Sequence, residues 1–204
     1  MKAFDSDSQT ERSRIVARAV AVTANTALAP QRYERQLLDR YQRGELTIDQ
    51  VISLLDASTY QVLYHSVAAQ PFDEAQLQAL LERSRNFNGR HSITGILLYS
   101  DGRFVQLLEG DEQQVRQLYA RIQQDPRHTQ VVTVSEGPGP ARRFADWSMG
   151  FGRVAGLEVA EALDLVVSQE TLPAPEVAEP YLLALLQAFG ITPAATQLGQ
   201  AEKG

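Results

Sequence analysis

Polar side chains interrupt two strand-like segments that are otherwise apolar. Gln106 lies inside Phe-Val-Gln-Leu-Leu, and a buried carboxamide without hydrogen-bond partners costs about 1–3 kcal/mol. Tyr64 follows Val62 by two positions, so both side chains share one face of a strand. A glutamine side chain offers one hydrogen-bond acceptor and two donors, and a tyrosine hydroxyl can either donate or accept a hydrogen bond. Such residues break the local rule for apolar strands and are therefore candidate functional residues.

Three further residues stand out by position or rarity. Asn88 comes at the end of a predicted helix, next to Gly89, and Trp147 and Met149 are the single tryptophan and the single internal methionine. Taken one at a time, all five candidates have an ordinary structural explanation. These explanations are a core tyrosine, a solvent-facing glutamine, a helix-end asparagine and core filling by tryptophan and methionine.

Composition excludes several kinds of chemistry. The chain of 204 residues has no cysteine, so disulfides, thiolate metal sites and a cysteine nucleophile are excluded. Its histidines, at 65, 91 and 128, lack metal-ligand spacing, and we expect no metal. Neither a phosphate-binding glycine loop with lysine nor a Gly-x-Ser-x-Gly elbow is present. The net charge of −6 argues against broad capture of nucleic acid.

Charge divides the chain into three parts. Residues 1–57 carry eight basic and eight acidic side chains, and residues 58–153 carry ten of each. Residues 154–204 carry one lysine against seven acidic side chains, which accounts for the whole net charge. We therefore predict a helical N-terminal extension, a central domain over 58–153, and C-terminal helices with an acidic end.

The central part alternates strands and helices. Strands are predicted at 60–66, 93–99, 103–108 and 131–134, with a short final strand or loop at 144–151. Helices are predicted from Asp73 to about Phe87, closed by Gly89, and from Asp111 to about Gln124. Asp101-Gly102 is a strong hairpin turn. This order predicts an α+β ferredoxin-like sandwich, a mixed sheet with two helices on one face.

The flanking parts are predicted to be helical. Helices are expected at 11–28, 31–43 and 47–56, the last opened by a Thr47–Gln50 capping box. The pair over 31–56 is either a packing hairpin or a DNA-reading helix-turn-helix with Gln50 and Ser53 as weak base readers. Amphipathic patterns at 157–168 and 176–189 predict two more helices.

Taken in order, the motifs of residues 60–151 resemble the BLUF family, blue-light receptors that bind a flavin. The matching segments are Tyr64-His65-Ser66, Ser84-Arg85-Asn86-Phe87-Asn88, Ile93 to Tyr99, Gly102 to Gly110, Asp125 to His128, and Phe144 to Gly150. The family fold is the ferredoxin-like sandwich that the element order predicts. The resemblance further implies that the C-terminal helices cover the sheet face opposite the flavin.

The resemblance assigns roles to the five candidates. It implies that the flavin ring lies between the two helices of the sandwich and that Tyr64 donates an electron and then a proton to it. Gln106 then bridges the tyrosine and the flavin, and Asn88 bonds the carbonyl edge of the ring. Trp147 and Met149 become the residues that relay the signal. Further flavin contacts are expected from Ser84, Asp125, Arg127 and His128.

The implied protein is a switch and not an enzyme. FAD is the expected flavin, with FMN and riboflavin as alternatives, and the output passes to an unidentified separate protein partner. We also expect a homo-oligomer, a cytoplasmic location and no membrane contact, since no apolar run reaches the length of a membrane span. The alternatives are a light-gated DNA-binding regulator, a ferredoxin-like ligand-binding module without flavin, and an enzyme of the acylphosphatase type, whose phosphate loop is not evident.

Overall fold

A computed structural model describes residues 9–153. The predicted helices at 157–168 and 176–189, and the C-terminal part at 154–204, lie outside the described residues. Within the described range, no helix combines the length and the apolar character that a membrane crossing requires.

Three helices precede the sheet: α1 (Gln9–Thr23), α2 (Arg32–Gln42) and α3 (Ile48–Asp56). The predicted capping box of α3 is confirmed, since the Thr47 hydroxyl accepts from the Gln50 amide and the Gln50 side chain accepts from the Thr47 amide. The first helix ends at Thr23 and not near residue 28, and turns lead from there to α2.

The central domain contains five strands and two helices. In chain order these are β1 (Thr59–Ala68), α4 (Glu74–Arg90), β2 (Thr94–Ser100), β3 (Arg103–Gly110), α5 (Glu112–Gln123), β4 (His128–Gly139) and β5 (Gly150–Arg153). They form one sheet in the order β4-β1-β3-β2-β5, antiparallel except for the β2–β5 pair. This is the expected α+β ferredoxin-like arrangement with one added edge strand.

Two elements extend further than the sequence predicts. Strand β4 extends beyond the predicted 131–134 and includes Pro138, because β4 is an edge strand and an edge tolerates a residue without an N–H. Helix α4 continues through Gly89 to Arg90, because the left-handed turn that closes it falls at Ser92 instead (φ 52°). Residues 144–149 precede β5 as a loop.

The two sheet faces have different partners. Helices α4 and α5 cover one face, where Leu77 and Leu81 of α4 and Val115 of α5 pack on Val62 and Phe104. A second set of buried apolar side chains points to the other face: Leu63, Ile96, Leu98 and Leu107. Helix α2 contacts β4, so the N-terminal extension is packed on the domain.

The fully buried carboxylate of Glu109 ties several elements together. It accepts from the Gln61 amide (3.1 Å), from the backbone amides of Arg143 and Phe144 (3.1 Å each) and from the Thr94 hydroxyl (3.4 Å). Burial raises its pKa, and these bonds to the ionised form oppose the rise. Glu109 therefore joins β3 to its neighbouring strands and to the loop that follows β4.

Replacing Gly95 with alanine is expected to lower the free energy of unfolding by roughly 3 kcal/mol. A Cβ at Gly95 would overlap the backbone carbonyl of Leu107 on the neighbouring strand, and its φ is positive. The matched control is Gly89→Ala, because no atom lies within 4 Å of a Cβ there and alanine favours a helix by roughly 0.5–1 kcal/mol. Urea unfolding of both variants measures the difference, and equal midpoints would contradict the prediction.

Candidate functional site

A cavity of about 500 Å³ lies between α4 and α5, with β1 and β3 at its base. All seven of the predicted flavin-contacting residues line it: Tyr64, Ser84, Asn88, Gln106, Asp125, Arg127 and His128. Strands β1 and β3 contribute Tyr64 and Gln106, and the end of α4 contributes Ser84 and Asn88. The turn after α5 contributes Asp125 and Arg127, and His128 is the first residue of β4. The structure thus brings residues from four separate sequence segments to one site.

Tyr64 and Gln106 are directly opposed partners on β1 and β3. The Tyr64 hydroxyl donates to Oε1 of Gln106, and the tyrosine is completely buried. Burial raises the pKa of Tyr64 well above its ordinary value, with a smaller contribution from nearby Tyr119 and Asp125. The phenol is therefore neutral and keeps its proton available to the glutamine.

The other end of the Gln106 carboxamide faces Met149. Nε2 of Gln106 lies 3.4 Å from the Met149 sulfur, which is a weak acceptor. Met149 is 2% exposed, whereas Trp147 is 39% exposed and packs on Phe144 with their ring centroids 5.5 Å apart. Of the two predicted relay residues, the structure therefore places Met149 inside and Trp147 at the surface.

Helix α4 holds the backbone of this relay segment, residues 147–149. Nδ2 of Asn88 donates to the Ser148 carbonyl at 2.7 Å, and Nε of Arg85 donates to the Met149 carbonyl at 3.0 Å. Arg85 lies in the segment Ser84 to Asn88, and local sequence pattern does not predict its contact because its partner is 64 positions away. The end of α4 therefore contacts both the cavity and the segment that carries Met149.

Charged and polar groups form the rim of the cavity. The backbone amide of Arg127 donates to Asp125 at 2.9 Å, and its guanidinium donates to both carboxylate oxygens. Nδ1 of His128 lies 2.8 Å from the Ser66 hydroxyl, and its ring packs on Phe104. Burial lowers the pKa of His128, so the imidazole is predominantly neutral at pH 7.

The residues present fit a planar, partly apolar ligand with hydrogen-bonding edges. The cavity volume falls in the range of about 300–1,000 Å³ that is typical of cofactor sites. Apolar side chains from both helices face each other across it: Leu80 and Phe87 on α4, and Leu118 and Ile122 on α5. Amide, hydroxyl and imidazole groups converge at the base and the rim. This lining matches a flavin ring, which is apolar on its faces and polar along one edge.

Comparison with known proteins agrees with this geometry. Residues 59–150 match the family described as BLUF, sensors of blue light using FAD. The β subunit of the photoactivated adenylate cyclase of Euglena longa is 34% identical over 140 residues, which is 63% of this chain and 16% of that protein. The blue light- and temperature-regulated antirepressor BluF of Escherichia coli K12 is 35% identical over 88 residues, 43% of this chain and 22% of that protein.

A solved structure shows the same relationship over nearly its full length. The dark-state structure of the BLUF protein BlrB is 33% identical, covering 66% of this chain and 98% of that one, with a TM-score of 0.48. By contrast, this chain spans only about a sixth of the Euglena cyclase subunit. The family match shows that residues 59–150 form a flavin-binding sensory domain. The chain belongs to the BLUF family, and its domain binds flavin and senses blue light.

The pKa of Asp125 tests whether the ion pair between Asp125 and Arg127 at the cavity rim forms in solution. Hydrogen bonds from Arg127 lower it to about 2 from an ordinary 3.8. A lowered pKa means that the pair stabilises the fold above about pH 4 and that this contribution is lost as the pH falls through about 2. We therefore expect no titration of Asp125 between pH 3.5 and 7 by carboxyl-carbon NMR.

The Arg127→Gln variant should return the pKa of Asp125 towards 3.8, because the main cause of the shift is removed. Arg90→Gln is the matched control, since Arg90 is exposed and lies outside the cavity lining. An Asp125 resonance that titrates identically in all three proteins would show that the ion pair is absent in solution.

Proposed function

We propose that this chain is a light-driven hydrogen-bond switch in which Tyr64 is the electron and proton donor and Gln106 is the group that rearranges. The observation that carries the proposal is the chain of contacts from the Tyr64 hydroxyl through the Gln106 carboxamide to the Met149 sulfur. Tyr64 and Gln106 lie at the base of the cavity that we propose for the flavin, and Met149 lies behind Gln106, outside the cavity lining.

A bound flavin supplies absorption of blue light and, when excited, accepts one electron from a neighbouring donor. Tyr64 suits this role because its hydroxyl already donates to Oε1 of Gln106, so its proton has an acceptor when the electron leaves. The carboxamide would take up the Tyr64 proton at Oε1 and pass a proton from Nε2 to the flavin, so that its tautomerisation or a rotation exchanges its donor and acceptor ends. When the electron and the proton return, Tyr64 is again a neutral phenol.

The first test replaces the two groups one at a time. A rearranged Gln106 would strengthen the hydrogen bond to the flavin carbonyl and shift the flavin absorption slightly to the red. Tyr64→Phe removes the donor and Gln106→Leu removes the switching amide, so both proteins should remain yellow but lose this reversible shift under blue light. Absorption spectra before and after illumination provide the measurement. Mass spectrometry of the released flavin distinguishes FAD from FMN and riboflavin.

Tyr99→Phe is the matched control for the tyrosine. Its hydroxyl accepts from the Phe72 amide at 3.1 Å, and it does not line the cavity. This variant should photocycle as the unmodified protein does. A normal red shift in Tyr64→Phe or Gln106→Leu would refute the assigned roles, whereas a colourless unmodified protein would refute flavin binding.

Met149 is the first residue of the proposed signal relay, because it is the one in contact with Gln106. Its sulfur accepts from Nε2 of Gln106, and this contact favours the present orientation of the carboxamide. A weak hydrogen bond of this kind corresponds to roughly a two- to tenfold change in a rate or equilibrium. Trp147 lies near the surface on the same segment and is assigned a later part in the relay.

Met149→Leu keeps the volume but removes the acceptor, so we expect the return to the dark state to slow by about two- to tenfold. Trp147→Phe keeps an aromatic side chain over Gly150 and should change the rate by less than twofold. The decay of the red-shifted absorption in darkness measures both rates. The assignment fails if the tryptophan variant shows the larger change.

FAD is the proposed cofactor, as the family description also has it. A second cavity of about 360 Å³ adjoins the flavin cavity, and the two share Leu80, Arg83, Pro126 and Arg127. Two guanidinium groups at the shared rim suit the phosphates that join the two halves of FAD. This arrangement supports FAD over riboflavin, which carries no phosphate.

The proposed output is contact with a separate protein partner or a second copy of the chain, not catalysis. The N-terminal helices α1–α3 are the proposed output element, because α2 contacts the edge strand β4. Two observations weigh against the DNA-binding alternative: Gln50 caps its own helix, and the Ser53 hydroxyl donates to the Asp49 carbonyl. A cytoplasmic location remains a prediction of the sequence.

A further inference from the structure

A separate cavity of about 570 Å³ lies between α2 and the end of β4. It shares no lining residue with the flavin cavity. One wall is the Gly137-Pro-Gly-Pro segment, which the photosensory mechanism does not use. The side chain of Gln61 reaches it from β1. Its volume is in the range of small-molecule sites of nucleotide size.

Arginines dominate the charge of this cavity. Arg32, Arg40 and Arg43 come from α2 and its C-cap, and Arg143 comes from the loop after β4. Burial raises the pKa of Tyr33, and the charges of Arg40 and Arg143 oppose this rise, so both cations lie near its ring. Burial also lowers the pKa of Arg32, which nevertheless remains charged.

The acidic side chains nearby neutralise only part of this charge. Two carboxylates line the cavity, Asp39 and Glu136. Glu136 is already bonded by Arg116 (2.7 Å) and by the Tyr60 hydroxyl (2.6 Å), both of which lie outside the cavity. Glu45, which lies outside the lining, forms ion pairs with both Arg40 and Arg43. The cavity is therefore positive within a chain whose net charge is −6.

The cations converge from different elements. Arg32 is on the first turn of α2, Arg40 is two turns further on, and Arg143 approaches from the opposite wall. Guanidinium groups placed in this way suit an anion with several oxygens, because each group can donate two parallel hydrogen bonds. The apolar remainder of the lining, including Leu37, Leu54 and Pro138, suits an uncharged ring or chain attached to the anion.

We propose that the cavity between α2 and β4 is a second ligand site, which binds a small molecule carrying one or two phosphate groups. It lies on the N-terminal extension and is separate from the flavin. Its bound ligand would bridge α2 to the sheet and hold the extension against the photosensory domain.

The test uses the full chain, loaded with flavin and kept in darkness, so that the flavin cavity is already filled. Isothermal titration with ADP and, separately, with inorganic pyrophosphate should show saturable binding that weakens with added salt. Arg143→Gln should raise the dissociation constant for both probes about tenfold, through loss of a charge-assisted bond. This variant is safe for the fold, because Arg143 is exposed and its backbone amide still donates to Glu109.

Arg32→Gln is the second variant, and Arg90→Gln is the control, which removes the same charge from an exposed position outside the cavity. Retained binding in the control together with weakened binding in both cavity variants supports the site. The proposal is overturned if neither probe shows saturable binding up to millimolar concentration. It is also overturned if the unmodified protein and the three variants bind the probes with equal affinity.

Discussion

A carboxamide enclosed in a sheet must have partners at both of its ends, and this requirement organises the site. Gln106 is 7% exposed, and its oxygen and nitrogen cannot both be satisfied by one neighbour. Tyr64 meets one end and Met149 meets the other. Because Tyr64 donates to the oxygen and Met149 accepts from the nitrogen, both contacts favour the present orientation of the amide. The balance between its two orientations would therefore shift if Tyr64 lost its proton, which is the dependence that a two-state element needs.

The fold supplies this balance through register and helix placement. Antiparallel pairing puts Tyr64 directly opposite Gln106, so their contact does not depend on a mobile loop. The relay segment is less regular, but Arg85 and Asn88 hold its backbone to α4. The site therefore joins a rigid base to a less regular segment that is held by a few hydrogen bonds. A small change at Gln106 can therefore move this segment more than it moves the sheet.

Much of this arrangement could be predicted from the sequence. Alternation along the strands and the ordered motifs indicated the sandwich and seven of the residues that line the cavity. The roles of Arg85 and Glu109 were missed, because their hydrogen-bond partners lie between 15 and 64 positions away or on the backbone. The inward position of Met149 was also open, since Trp147 and Met149 are two residues apart and either could fill the same space. Side-chain packing determines which of the two residues points inward, and the local sequence pattern does not contain this information.

The loop between β4 and β5 is fastened twice to the same strand. Near its start, the amides of Arg143 and Phe144 bond Glu109 on one face of β3, and at its end the sulfur of Met149 meets Gln106 on the other face. Release of the Gln106 contact would therefore free only the Met149 side chain, because Asn88 and Arg85 still hold the backbone at this end of the loop and Glu109 still holds its start. Because β5 begins at the residue after Met149, any displacement of this side chain would act directly on the edge strand of the sheet.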